Sequence, residues 1–430
     1  MTGGCPIATT RSKAHARLRI LYVSDTGDQL GGAERSLLSL VEHLDPARYE
    51  LHAVLAEDGR FAALLRGAHV QVARLPLGTI ARTRNPLKLL LYGIYFLHGV
   101  VRLACLIRRR GIQILHVNKN TLAIHAIPAA RLAGAACVWH VRNPVRNFGR
   151  VGAWLVRRCG HLLCVSESIA APFREAFPDA AARITIVPEG IDPAPYATGK
   201  MPVPPGTETK GGTGFQPVSS DALHRELGVA PGECLVGTVG RITPWKGQDD
   251  FLRAAALVAP TRPDARFLVV GDCVSSPAEA AADRAFRDRL HTLAANLGLG
   301  DRVVFTGFRD DVPAVMNALD LFVLPSHGEP FGIVLLEAMA ASRPIVATAA
   351  GGVPDIVRDA QEALLVPPRD PAALAAAIER LLGDRSLAAA LGHAAQARVN
   401  ADFPLWRPAA LVREIYHRLA GHEGGPPVFP

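Results

Sequence analysis

The sequence predicts an α/β protein of two Rossmann-like parallel-sheet domains that face each other across a cleft. Three observations predict it. The chain has 430 residues, too many for one ordinary core and suited to two domains of roughly 100–200 residues each. Short apolar runs alternate with helical patterns in two successive series, as parallel strands joined by crossover helices do. Between the series lies a stretch rich in Gly, Pro, Ser and Thr, 196–220, which suits neither a helix nor a central strand.

Residues 1–17 are small, polar and basic and lack the apolar core of a signal peptide, so a disordered tail is expected there. The first domain, 18–195, carries strands at 18–24, 51–56, 70–75, 112–117, 137–141, 162–165 and 184–187. Helices at 35–44 and 151–158 are among those between them. The strand runs are continuous rather than alternating, as expected when both faces of a parallel sheet are covered. The strongest apolar run, 89–101 (LLLYGIYFLHGVV), is bounded by Lys88 and Arg102 and contains His98. It is shorter than the ~20 residues a spanning helix needs, which predicts a buried or interfacial helix and no transmembrane segment. Residues 196–228 read as a linker or insertion. The second domain, 229–404, carries strands at 234–239, 267–270, 303–306, 321–325, 345–348 and 363–366. Helices follow at 371–382, 386–400 and 408–420. Residues 405–430 are expected to be a helix that packs back on the N-terminal domain, with a frayed tail from 421.

Composition narrows the class. A hydrophobic fraction of 49% with 20% charged residues excludes global disorder. Seven cysteines without a CxxC pair fit reduced thiols in the cytoplasm better than a disulfide framework, and no Cys/His spacing resembles a zinc site. Charge is uneven. Residues 1–195 hold 25 Lys and Arg against 13 Asp and Glu, and the remainder 22 against 26. From 61 to 166 there are sixteen cations and no carboxylate. Such a one-signed region attracts anionic partners. Nucleic acid is not among them, because aromatic interleaving and the known motifs are missing.

Two loops carry candidate chemistry. After the first strand, Gly31-Gly32-Ala33-Glu34 leads into a helix, where backbone N–H groups and the helix dipole favour an anion. The spacing is neither a dinucleotide fingerprint nor a Walker loop. The second domain opens with Gly240-Arg241-Ile242-Thr243-Pro244-Trp245-Lys246-Gly247, which sets a guanidinium fork and a point charge over the sheet's carboxyl edge. Together they suit a diphosphate whose charge grows as a bond breaks. Glu329 follows the strand at 321–325, and Glu337 lies in the next helix among Leu335, Leu336, Ala338 and Met339. An unpaired carboxylate there is costly, and a ribose diol would satisfy it. Between them, the amides of Phe331, Gly332 and Ile333 begin a helix and can face phosphate.

The Glu329/Glu337 pair, the Gly240–Gly247 loop and the following PIVAT and GGVPD segments resemble glycosyltransferase family 4, the retaining enzymes of GT-B fold. The resemblance covers nearly the whole chain and is most specific over 302–368. It implies that Arg241 and Lys246 hold the donor diphosphate, Glu337 the ribose, and Glu329 hydroxyls of the transferred sugar. Gly31 and Gly32 match the glycine loop that approaches the diphosphate, and His140 matches a histidine near the reacting sugar. Ser166 matches a serine common at its site, with an N-cap role as the other reading. Asp272-Cys273, Asp355 and Glu189 depart from the family's usual residues, which bears on the donor sugar.

The implied reaction moves a sugar from a nucleoside diphosphate sugar to a hydroxyl with retention, by front-face displacement, since no carboxylate nucleophile is identifiable. The expected acceptor is a lipid-linked or polysaccharide intermediate of cell-envelope glycan synthesis. No resident cofactor and no metal is expected; the acidic doublets Asp249-Asp250 and Asp310-Asp311 read as helix caps. The basic residues in 82–88 and 108–110 flank the apolar helix and suit an anionic membrane surface, so a cytoplasmic, membrane-peripheral location is expected. A sugar-nucleotide 2-epimerase and a non-catalytic carbohydrate-binding protein share the two-domain design. The two cations and two glutamates favour the transferase.

Overall fold

The computed structural model describes residues 17–27, 31–77, 85–145, 148–197, 220–273 and 280–421. The expected tails at 1–16 and 422–430, residues 28–30 of the glycine loop, Arg82, Arg84, and residues 198–219 of the insertion lie outside the described residues.

Among the described residues, seven strands build the first sheet: β1 (Leu18–Val23), β2 (Tyr49–Leu55), β3 (Gln71–Arg74), β4 (Ile114–Val117), β5 (Ala136–Val141), β6 (His161–Cys164) and β7 (Ile184–Ile186). Their order is β3-β2-β1-β4-β5-β6-β7. Six more build the second: β8 (Cys234–Val239), β9 (Ala265–Val270), β10 (Val303–Gly307), β11 (Leu321–Leu324), β12 (Ile345–Thr348) and β13 (Leu364–Val366), in the order β10-β9-β8-β11-β12-β13. The pairings are parallel. Each order reverses direction once, between β1 and β4 and between β8 and β11. Ligands bind at such reversal points, beyond the carboxyl ends of the strands. The glycine loop follows β1 and the two-cation loop follows β8, so topology carries both candidate loops to that edge.

Continuous burial along the inner strands explains why they read as unbroken apolar runs: β4, β6, β11 and β12 are buried at every position. Both faces are covered by helices. The helix Arg407–Leu419 lies on the first sheet, with Val412, Ile415 and Tyr416 buried in a cluster with Ile20, Tyr22 and Leu51. Burial of each such side chain contributes roughly 1.5–3 kcal/mol, so the end of the chain completes the core of the domain in which it began.

Two expectations change. Residues 220–228 are not linker: Ser220–Glu226 is helical, with Leu223 fully buried and the His224 ring 2.7 Å from the Ala318 carbonyl oxygen. Leu223 and Leu227, one turn apart, are the apolar stripe that docks this helix on the second domain. The apolar run at 89–101 sits in a longer helix, Pro86–Arg110. Asn85 caps its start, accepting from the backbone N–H groups of Leu87 (3.0 Å) and Lys88 (3.3 Å), and Gly111 ends it at φ 61°. Arg108, Arg109 and Arg110 occupy the last turn, where cations suit the helix dipole.

Candidate functional site

Lys246 ends a short 3-10 turn, Pro244–Lys246, just before the helix Gln248–Val258. Its ammonium lies 2.6 Å from Glu329 Oε2 and 4.6 Å from the centre of the Trp245 ring. Ser326 donates to the same carboxylate oxygen at 3.1 Å, and Glu329 is buried. Residues 83 apart in sequence thus form one charged pair. Backbone fit makes this possible. Gly247 has φ 70°, and a β-carbon built there would lie 2.0 Å from the Pro325 carbonyl oxygen. Gly351 has φ 64°, and its β-carbon would lie 2.0 Å from the Glu329 carbonyl oxygen. Only glycine permits these approaches. Arg241 is exposed at the start of the same loop, and its carbonyl accepts from Gln248 at 3.0 Å.

Glu337 lies in the helix Ile333–Ala340, and its carboxylate is already engaged by the Tyr196 hydroxyl. Burial pushes the carboxyl above its ordinary value, while the Tyr196 hydrogen bond and the charges of Arg35 and Lys246 act in the opposite direction. One hydroxyl leaves acceptor positions open on the Glu337 carboxylate, which has about four. Tyr196 was missed because it falls in the segment read as linker, and Arg35 because it lies in the other domain. Gly332 caps this helix at φ 108°, so the amides of Gly332 and Ile333 open it as expected. The Phe331 ring packs 6.2 Å from that of Phe403 and lines an interdomain cavity of about 340 Å³ with Ser166, Asp355 and Arg398.

Across the cleft, a β-carbon built on Gly32 would stand 3.4 Å from Ile333 Cδ1, so the glycine loop meets the start of the Glu337 helix. Gly31 differs from expectation. Its N–H donates to Glu34 Oε2 at 3.0 Å, so the chain's own carboxylate occupies that donor. Lys119 balances Glu34 at 2.8 Å and Asp25 at 3.2 Å. Ser166 does not cap its helix through its side chain; its hydroxyl donates to the Pro330 carbonyl oxygen at 2.6 Å. Asp355 of the second domain accepts from the Glu167 N–H instead, at 2.6 Å. The acidic doublets also make no side-chain caps. Asp311 pairs with Arg309 at 2.6 Å, and Asp249 and Asp250 with Arg253 at 2.8 and 3.4 Å. Asp250 also lies 2.7 Å from His327 Nε2.

His140, in β5, is buried. Arg142 donates to its Nδ1 at 3.2 Å and to Asn118 Oδ1 at 3.1 Å, and forms a buried ion pair with Glu189, which also accepts from Ser36. A guanidinium only donates, so Nδ1 is the acceptor and Nε2 carries the ring proton. Burial first, then the charges of Arg142 and His116, hold His140 well below the usual histidine range. His116, its ring 5.4 Å away, is pushed down to about 3, chiefly by burial. Both rings are neutral in the fold and charge on unfolding below about pH 6.5. The unfolded chain then binds more protons, so stability falls as pH falls. From pH 6 to pH 5 the pair is expected to remove roughly 2 kcal/mol, measurable as a falling urea midpoint. A midpoint unchanged over that unit would contradict it. Arg142 and Glu189 were not read as partners because 47 residues separate them.

Comparison with known proteins matches this arrangement to one family. Residues 219–398 match the model described as Glycosyl transferases group 1, and residues 30–195 that described as Glycosyltransferase Family 4. The chain is 30% identical over 306 residues to a 2-deoxystreptamine glucosyltransferase of Streptomyces kanamyceticus, covering 70% of this chain and 71% of that one. It is 40% identical over 182 residues to a D-inositol 3-phosphate glycosyltransferase of Acidothermus cellulolyticus, a match spanning 42% of this chain and 40% of that enzyme. Among solved structures, HepE of Anabaena in complex with UDP superposes with a TM-score of 0.76 at 25% identity, covering 93% of this chain and all of that one. HepE has also been solved with UDP-glucose.

Proposed function

We propose a retaining sugar transfer from a nucleoside diphosphate sugar for this chain, which belongs to the group 1 glycosyltransferases, with a family 4 N-terminal domain. The observation that carries this reading is the Lys246–Glu329 pair at 2.6 Å, set at the edge where the sheet order reverses and where Gly32 meets Ile333. In it, Arg241 and Lys246 hold the diphosphate, Glu329 reads sugar hydroxyls, and Glu337 takes the ribose. The amides of Phe331, Gly332 and Ile333 face phosphate together with Gly32. His140 presents a neutral N–H rather than a base.

The chemistry follows from charge. As the glycosidic bond to phosphate breaks, negative charge grows on the leaving diphosphate, and fixed cations at that point stabilise the transition state more than the ground state. The acceptor hydroxyl attacks from the same face, and its proton passes to the departing phosphate oxygen. No metal has a part in this reading. HepE's complexes make UDP and UDP-glucose the first ligands to try. The expected acceptor is a lipid-linked or polysaccharide hydroxyl. UDP is expected to raise the melting temperature, and UDP-sugar to be hydrolysed slowly, with the α-anomer forming first by NMR and no loss in excess chelator. No stabilisation by any nucleoside diphosphate would overturn the reading.

A further inference from the structure

The helix Pro86–Arg110 is apolar on two opposite faces. At 100° per residue, Phe96, Val100, Leu103 and Ile107 share one face, packed into the first domain's core. Leu87, Leu90, Leu91, Ile94, Leu97 and Val101 share the other, and all six are exposed; Leu87, Leu90 and Leu97 exceed 60%. They present on the order of 600 Å² of apolar side chain, at or above the ~300–600 Å² of the largest patch on an ordinary monomer. A surface helix normally covers that face with polar residues.

We propose that this outer face docks on an anionic phospholipid bilayer, with the helix lying in the membrane interface. Charge selects this occupant. Arg102 and Arg109 continue the same face past Val101, Lys88 flanks its start, and no carboxylate occurs from 61 to 166. A second copy of the chain would set one cationic surface against another, whereas lipid phosphates complement it. The helix does not cross the membrane, although Leu90–Arg110 is long and apolar enough, with mean hydropathy 1.8. Its inner face is core: withdrawing Leu103 and Ile107 would expose the first sheet.

The helix direction gives the docking a consequence. A crossover helix runs antiparallel to its strands, so Pro86 stands near their carboxyl edge, where the cleft loops are. Arg110 stands near their amino edge, its carbonyl 3.4 Å from the Arg19 side chain at the start of β1. The apolar part of the face is therefore the part nearest the cleft, and docking brings the cleft to the bilayer. This deepens the proposed function by naming a membrane-borne acceptor, and rests on that reading for the acceptor alone.

The test is co-sedimentation of the full chain with vesicles of phosphatidylcholine alone or mixed with phosphatidylglycerol, at low and high salt. The wild type is expected to bind the mixed vesicles, more weakly as salt rises. L90S/I94S/L97S is expected to lose at least tenfold in binding, and R102Q/R109Q about fivefold per cation. Far-UV circular dichroism and urea midpoints of the variants, neither of which depends on nucleotide, check that they fold. No binding of wild type to mixed vesicles at low salt overturns the proposal, as does unchanged binding by the triple variant. A dimer in light scattering that the triple variant dissociates assigns the face to a second copy and also overturns it. Vesicle binding is read without turnover, so its failure and failure of the transfer reading are separable.

Discussion

Lys246→Met is expected to lower kcat by about 10²–10³-fold, the usual effect of removing one preorganised partner of developing charge. Methionine keeps an unbranched stem and removes only the ammonium. The fixed charge at 2.6 Å from Glu329 is then gone, and among the described residues the buried carboxylate keeps the Ser326 hydroxyl at 3.1 Å. UDP affinity, read by calorimetry, is expected to fall less than kcat, because the leaving group carries most charge at the transition state. A fall in affinity as large as that in kcat would mean that Lys246 contributes uniform binding. Less than a tenfold change in kcat would remove Lys246 from the proposed machinery.

Arg142→Met is expected to destabilise the protein by about 3–5 kcal/mol, the cost of leaving a buried carboxylate without its partner. Glu189 is buried, and beyond Arg142 it has the Ser36 hydroxyl. The double variant R142M/E189Q is expected to recover most of the loss, since the stranded charge is gone. Urea midpoints of the two variants measure this. If both fall equally, the defect is lost packing and not an unpaired charge. The same pair gives position 189 a reason to hold a carboxylate: an amide could not balance the Arg142 charge in a buried site.

The inner strands among the described residues were legible as apolar runs because a parallel sheet is covered on both faces there, so burial writes itself into consecutive residues. The edge strands β3 and β10 are only partly covered. The Gly240–Gly247 loop and the Glu329–Glu337 segment stood out for another reason: glycines, two cations and two carboxylates gather beside strand ends, and the fold brings Lys246 and Glu329 together. Partnerships were a different matter. Tyr196 on Glu337, Glu34 on the Gly31 N–H and Asp355 on the Glu167 N–H each fill a donor or acceptor that residue type alone left open. Two of these three join the domains, across 141 and 188 residues, and no local pattern encodes a contact of that separation.

The run at 89–101 marks the boundary between the two kinds of knowledge. Its composition determined that it would be a helix with apolar sides and basic ends. Which side would be core depended on where the first sheet lay, and the fold took Phe96, Val100, Leu103 and Ile107 inward and left Leu90, Ile94 and Leu97 outside. Sequence by itself determined the two sheets, the loops at their carboxyl edges and the residue types that those loops present. Tertiary structure alone decided which charges meet, which donors are already satisfied and which apolar face is left for a partner. The reason is physical: periodicity and composition act over a few residues, whereas pairing and burial are settled by whatever the fold brings within a few ångströms.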